Sequence, residues 1–286
     1  MPRKKFKRVI LMWIRKKEIE KLSALVKKLI AGENVDVRDN REGPLNIFKN
    51  DIHTLAMNNR EQVANLQRER DILKDTLADI SHQLKTPITS MMIMSELLIE
   101  APADKQAEFI NNIQSSLGRT EWLVSALLKM AKLEAKSIEF KKEIISSKDL
   151  VNLALTPLRI SLELREQEVV ITGAEDFGCD AKWTAEALSN IIKNASEHSP
   201  NGSTITISIG SNPITKWISV VDSGDGLSRN QIANVFKRFE NSTSSEGYGI
   251  GLPLALTIMR SQRGDIEVDG GRNRQGATFT LKFYRK

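Results

Sequence analysis

At 286 residues the chain has room for two compact domains, and a composition 40% hydrophobic and 27% charged excludes wholesale disorder. A single cysteine, Cys179, excludes an internal disulfide, and with only three histidines a zinc cluster lacks ligands, which fits a reducing cytosol. The net charge of +6 is concentrated at one end: residues 1–30 hold eleven Lys/Arg against Glu18 and Glu20, a balance of +9, so the remainder carries −3. A nucleic-acid-binding enzyme would spread its basic residues over a working face, so no nucleic-acid partner is expected.

The basic end surrounds an apolar run of six residues, 9–14, far short of the roughly 20 needed to span a bilayer. It is also too short and too closely flanked by charge to be the apolar core of a signal peptide. Two readings stay open. One is a solvated basic tail; the other is a segment on anionic lipid, where each basic residue contributes on the order of 1 kcal/mol, or the inner flank of a membrane anchor. The corresponding location is cytoplasmic, in the second case at the inner face of the membrane.

Leu22, Leu25, Val26 and Leu29 repeat at helical spacing, and the pattern stops near Ala31 and Gly32. Residues 33–44 are polar and turn-rich, a linker, and from Leu45 a long helical pattern runs without Gly or Pro to Pro87. Leu73, Leu77, Ile80, Leu84, Ile88, Met91 and Leu98 fall at steps of three or four, with Ser95 filling one place in the series, a coiled-coil-like seam. Residues 100–104 break it, and Phe109, Ile113, Leu117, Leu123, Leu127 and Met130 mark a second amphipathic helix. Two such helices joined by a short turn form an antiparallel hairpin, whose apolar stripes are buried when two copies pair into a four-helix bundle.

After residue 137 the texture changes. Residues 138–145 read as a strand, 150–164 as a helix, 168–172 as a strand and 180–198 as a helix. Ile205, Ile207 and Ile209 alternate as in a half-buried strand, residues 217–221 form its neighbour, and Gly270-Gly271 turns between strands at 266–268 and 277–283. Adjacent strand pairs mixed with helices predict an antiparallel or mixed sheet with helices on one face. The predicted class is therefore multidomain α+β, a helical hairpin followed by an α/β sandwich.

Among the histidines, His53 lies in a polar helical stretch. His82 sits off the seam, on a flank open to solvent, and alone would be an ordinary surface residue. Pro87, just over one turn later, removes a helical hydrogen bond at a cost of about 3 kcal/mol, which a purely structural helix has little reason to accept. Neutral imidazole is a competent nucleophile near neutral pH. Farther on, Asn190 and Asn194 stand at i and i+4 on one helix face, where amide oxygens suit Mg²⁺ that bridges to phosphates. Asp222-Ser223-Gly224-Asp225-Gly226 follows a strand, and Gly247-Tyr248-Gly249-Ile250-Gly251-Leu252 opens onto a helix whose N-terminus favours phosphate. The second string is not a dinucleotide fingerprint, because the polar residues 241–246 precede it instead of a strand and its third glycine comes one residue early.

In order, these strings resemble the two-component sensor histidine kinases over about residues 70–286. Asp79-Ile80-Ser81-His82-Gln83-Leu84-Lys85-Thr86-Pro87 resembles the H box. The stretch 190–195 resembles the N box of the kinase- and chaperone-type ATPase fold, Phe236-Lys237-Arg238-Phe239 the F box, and Gly276-Ala277-Thr278-Phe279 the last glycine box. The resemblance implies a protein-histidine kinase that phosphorylates His82 from ATP and passes the phosphoryl group to an aspartate on a response regulator receiver domain. It implies a homodimer, with Gln83 beside the acceptor and Thr86 at a position that serves phosphatase activity. Asn194 would be the Mg²⁺ ligand, and Asn190, Lys193 and His198 would be nucleotide contacts. Asp222 would accept the adenine amine beside Gly224 and Gly226; Gly247, Gly249, Gly251 and Leu252 would border the phosphates, and Thr278 the adenine. The implied divisions are 1–32 (basic segment), 33–69 (signal-transmitting linker and helix), 70–136 (dimerisation and phosphotransfer hairpin) and 137–286 (ATP-binding domain).

Four positions depart from the family pattern. Gln83 replaces an acidic residue, Glu197 and His198 replace a basic residue and a tyrosine, and Asn241 replaces an arginine directed at the γ-phosphate, for which Lys237 or Arg238 could substitute. These departures leave open a degenerate kinase acting as a nucleotide-binding dimeric scaffold. An ATPase or chaperone-like relative without phosphohistidine chemistry fits the H box less well.

Overall fold

The computed structural model describes residues 16, 19–21, 23, 24, 26–28, 31, 44–239, 249–271 and 276–285, with backbone alone at 44–46 and 103. The apolar run 9–14, the linker 33–43, Asn241 and Gly247 lie outside these residues. The chain divides into two units, Met1–Ala78 and Asp79–Lys286. In the first, the described residues between 16 and 28 are helical, and Ala31 N–H closes onto the Lys27 carbonyl at 3.0 Å. No helix among the described residues is long and apolar enough to cross a membrane.

Helix α1 runs Pro44–Glu100 and passes through Pro87, which is buried. Only Ala101 and Pro102 separate it from α2, Ala103–Glu134; Pro102, lacking an N–H, stands at the N-cap position, where it sacrifices no helical donor. Within the second unit Ile80 and Leu84 of α1 pack into the same apolar cluster as Leu123, Ala126 and Met130 of α2, so the chain doubles back into the expected hairpin. Ile88, Met92, Ile93 and Leu97 of α1 and Leu117 and Leu128 of α2 remain exposed.

Beyond the hairpin come β1 (Glu143–Ser146), α3 (Ser147–Leu155), a 3₁₀ turn (Thr156–Leu158), α4 (Arg159–Leu164), β2 (Glu168–Thr172) and β3 (Asp176–Cys179). Then follow α5 (Ala181–His198), β4 (Thr204–Ser211), β5 (Thr215–Val221), α6 (Arg229–Asn234), α7 (Gly251–Ser261), β6 (Gly264–Asp269) and β7 (Thr278–Tyr284). Five strands form one sheet in the order β2-β4-β5-β7-β6, with β2–β4 parallel and the other pairs antiparallel. This is the mixed sheet that the sequence predicts.

Register explains the two faces. Ile207, Val220 and Phe279 stand side by side, as do Ile209, Ile218, Leu281 and Ile266, and all are buried in the core that α3, α5 and α7 share. The alternate row, Thr172, Ser208, Ser219, Thr280 and Glu267, is polar, with Thr172 and Ser208 hydroxyls 3.2 Å apart and Ser219 and Thr280 hydroxyls 2.9 Å apart. A period of two thus gives a two-layer α/β sandwich with helices on one face.

Two expectations are corrected. The strand expected at 138–145 shrinks to β1, whose partner β3 has only four residues; upstream, the Lys141 amide donates to Asp180 Oδ2 at 2.8 Å instead of entering a ladder. The single helix expected at 150–164 is divided by Pro157, which has no N–H to continue it and lies in the first positions of the 3₁₀ turn.

Candidate functional site: a polar cleft and an exposed histidine

The cleft is built outward from α5. Asp180 caps its N-terminus, accepting the Trp183 amide at 3.1 Å, and the helix presents Asn190, Lys193, Asn194, Glu197 and His198 along one side. Asn190 is buried; its Nδ2 donates to the Glu186 carbonyl one turn back at 2.9 Å, which leaves Oδ1 toward Gly251 at the start of α7. A methyl group on Gly251 would lie 3.1 Å from that oxygen. Asn194 is half-buried beside it.

The end of α5 is held by Gln167, whose buried Nε2 donates to the carbonyls of Ser196, Ser199 and Pro200 at 3.1, 3.3 and 3.1 Å. Its Oε1 accepts the Ser196 hydroxyl at 2.5 Å. Ser199 Oγ in turn accepts the Ser223 amide at 3.0 Å, fastening the segment after β5 against the helix end. Gly224 is required there because a Cβ would come within 2.4 Å of the His198 carbonyl. In this case the glycine serves close chain-to-chain packing.

Asp222 is buried, and its Oδ1 accepts two amides, Gly224 and Ala277, each at 2.9 Å. Oδ2 has no protein partner among the described residues, and Asp222 borders the cleft. A carboxylate fixed through one oxygen can offer the other to an amino group of a ligand. Gly276 completes the corner: it has φ +61°, and a Cβ would lie 1.9 Å from the Asp222 carbonyl oxygen.

These walls enclose about 300 Å³, within the range of small-molecule sites. The cleft brings together Asn190, Lys193, Asn194, His198, Asp222, Gly224, Gly226, Gly249, Gly251 and Leu252. It does not bring in Thr278, which is half-buried in β7; Ala277 and Phe279 on either side line the cleft instead. Of the two candidates for the missing arginine, Lys237 lines the cleft, whereas Arg238 pairs with Glu134 at the end of α2. Lys193 lies 3.7 Å from Glu197 Oε1, so the acidic side chain that would oppose phosphate is paired.

Sequence reasoning missed Trp122. It projects from α2 into the cleft wall, and Lys193 Nζ lies 4.8 Å from its ring centroid. It directly precedes Leu123 of the apolar stripe of α2, and nothing local marks it as a cleft residue.

The other set of expected residues lies on α1. His82 and Thr86 are exposed and Gln83 is half-buried, with Thr86 Oγ1 donating to the His82 carbonyl at 3.3 Å. The histidine ring therefore stands on an open helical flank within a packed hairpin.

Residues 72–136 match the His Kinase A (phospho-acceptor) domain, and residues 179–286 match the histidine kinase-, DNA gyrase B- and HSP90-like ATPase family; together they cover more than half of the chain. The chain belongs to the two-component sensor histidine kinases. Among curated histidine kinases it is 29% identical over 223 residues to the sensor histidine kinase WalK of Bacillus subtilis, which takes in 73% of this chain and 36% of that one. The chain spans about a quarter to a half of the length of the first curated relatives it matches. In fold it is similar to the histidine kinase AdeS of Acinetobacter baumannii, with TM-score 0.60 and 20% identity over 71% of this chain and 97% of that one. It is also similar to the histidine kinase ThkA solved in complex with the response regulator protein TrrA, with TM-score 0.62, 18% identity, and coverage of 80% and 66%.

Proposed function

We propose that this chain is an ATP:protein-histidine phosphotransferase in which residues 137–286 bind Mg-ATP and His82, on the hairpin 70–136, accepts the γ-phosphoryl group. The observation that carries the reading is the convergence of three separated motifs on one cleft: Asn190 and Asn194, Asp222 to Gly226, and Gly249 to Leu252. They combine a carboxylate oxygen available to an adenine amine, two carboxamides on one helix face and the start of α7, where backbone amides favour anions.

The donor set suits the nucleotide and its metal. Asn194, supported by Asn190, would hold Mg²⁺ through its amide oxygen, and the ion would neutralise charge on the phosphates. Lys237 supplies a cation at the cleft in place of the arginine that Asn241 replaces. Asp222 orients the base, with Oδ1 already committed to the backbone.

At the acceptor, a ring nitrogen of neutral His82 forms the N–P bond as the bond from the γ-phosphorus to the β,γ-bridging oxygen breaks and ADP departs. The ring N–H on the other nitrogen is then acidified. Gln83 can accept that hydrogen bond and fix the tautomer, but cannot take the proton, which passes to solvent from this exposed site. Positioning and charge neutralisation supply most of the rate, as in phosphoryl transfer generally.

The exposed apolar residues of the hairpin support a homodimer, and the ThkA–TrrA complex supports a receiver domain as the phosphoryl acceptor. Thr86, one turn from His82, is the residue proposed to serve dephosphorylation of that partner. Residues 33–69 would carry the input signal. Incubation with γ-labelled ATP and Mg²⁺ tests the reading: an acid-labile, alkali-stable label on the chain supports it, and ATP binding without label transfer supports the scaffold alternative.

A further inference from the structure

Among the contacts that tie α2 of the hairpin to the ATPase part of the chain are Lys193 over Trp122, Lys129 to Glu186 at 2.7 Å, and Arg238 with Glu134. The last two join groups outside the wall of the cleft. The first is different, because Trp122, Lys193 and Glu197 all line the cleft itself. The ammonium that a nucleotide's phosphates would draw upon is shared between an indole face of the hairpin and Glu197 of its own helix.

The height of Trp122 along the hairpin matters too. His82 precedes the end of α1 by eighteen residues, and Trp122 follows the start of α2 by nineteen. At a rise of about 1.5 Å per residue the two lie at nearly the same distance from the turn. The cleft thus leans on the hairpin at the level of the acceptor.

We propose that Lys193 is an exchangeable latch, held by Trp122 when the cleft is empty and drawn to nucleotide phosphate when it is filled, so that the hairpin and the nucleotide compete for one cation. The proposal rests on the ATP-binding reading of the cleft. A neutral ring attracts an ammonium through its quadrupole, whereas a triphosphate does so through full charge and direct hydrogen bonds, so phosphate wins the exchange. By linkage, whatever nucleotide loses in breaking the latch, the hairpin contact loses when nucleotide binds. Trp122 accordingly sets nucleotide affinity by acting through Lys193.

The test is a double-mutant cycle in the full chain, with Mg²⁺ and a non-hydrolysable ATP analogue titrated by calorimetry. Trp122→Ala is expected to tighten binding about two- to fivefold, the range of a partly exposed cation–ring contact. Lys193→Ala is expected to weaken binding, and adding Trp122→Ala to it is expected to change nothing more. Trp122→Phe, which keeps a ring and the packing, should stay close to the parent and serves as the control for folding. Weaker or unchanged binding in Trp122→Ala, or an equal effect of that substitution with and without Lys193, overturns the latch. Failure of the unsubstituted chain to bind the analogue overturns the ATP reading instead.

Discussion

The carboxylate of Asp222 accepts the backbone amide of Ala277 at 2.9 Å, joining the end of β5 to the start of β7 across 55 residues. Its Oδ1 is held by backbone amides, and in the proposed reading Oδ2 would meet the adenine amine, so the two duties can be separated by substitution. Asp222→Asn retains an acceptor at Oδ1 but presents a donor where the adenine amine should approach. We expect nucleotide affinity to fall at least tenfold while the denaturation midpoint moves little. Asp222→Ala removes the acceptor for both amides and should cost about 1–3 kcal/mol of stability as well. Urea denaturation and nucleotide titration of the two variants read the two effects independently.

Gly276 supports the same corner. At φ +61° an alanine is strained, and its methyl would collide with the Asp222 carbonyl 1.9 Å away. Gly276→Ala should destabilise the ATPase part by at least about 2 kcal/mol and weaken nucleotide binding along with it. A stability equal to the parent in urea would contradict this geometry.

Gln83 makes a prediction particular to this chain. An acid at that position can both orient the imidazole and receive its proton, which an amide cannot do. Gln83→Glu is therefore expected to raise the autophosphorylation rate by about tenfold or more, toward the usual worth of general base catalysis. Single-turnover labelling at fixed ATP reads it. An unchanged rate would assign proton loss wholly to solvent.

Acid stability should depend on Glu175. The Ser211 hydroxyl at 2.6 Å, followed by Lys216 at 3.1 Å, holds this carboxyl below its ordinary value of 4.5. A depressed folded pKa stabilises the fold above about pH 4.5, and that contribution is lost as pH falls through the lower, folded value. Glu175→Gln should thus reduce stability near neutrality and flatten the acid limb below about pH 4.5. Chemical denaturation over that range measures it.

Much of this arrangement was legible in the residues. The strand at 168–172 matches β2, and the alternating isoleucines 205, 207 and 209 form the inward face of β4, because period-two burial leaves a direct mark on sequence. β3 left none: Asp176 and Gly178 are poor strand formers, and the segment is fixed by pairing with β1 and by Phe177, whose ring lies 4.7 Å from that of Phe283. Helix α6 had a signal that went unread, Ser228 and Gln231 three apart in a capping box. The glycine motifs announced a cleft, but Trp122 and Lys193 are 71 residues apart, and no local pattern encodes their contact.

The central claim is that His82 is the residue that receives the phosphoryl group. Peptide mapping by mass spectrometry under alkaline conditions, after incubation with Mg-ATP, tests it most directly. The account predicts one phosphoramidate, on the peptide containing His82, absent from His82→Ala and from Asn194→Ala. A phosphoryl group on any other residue, or undiminished labelling in His82→Ala, would contradict it.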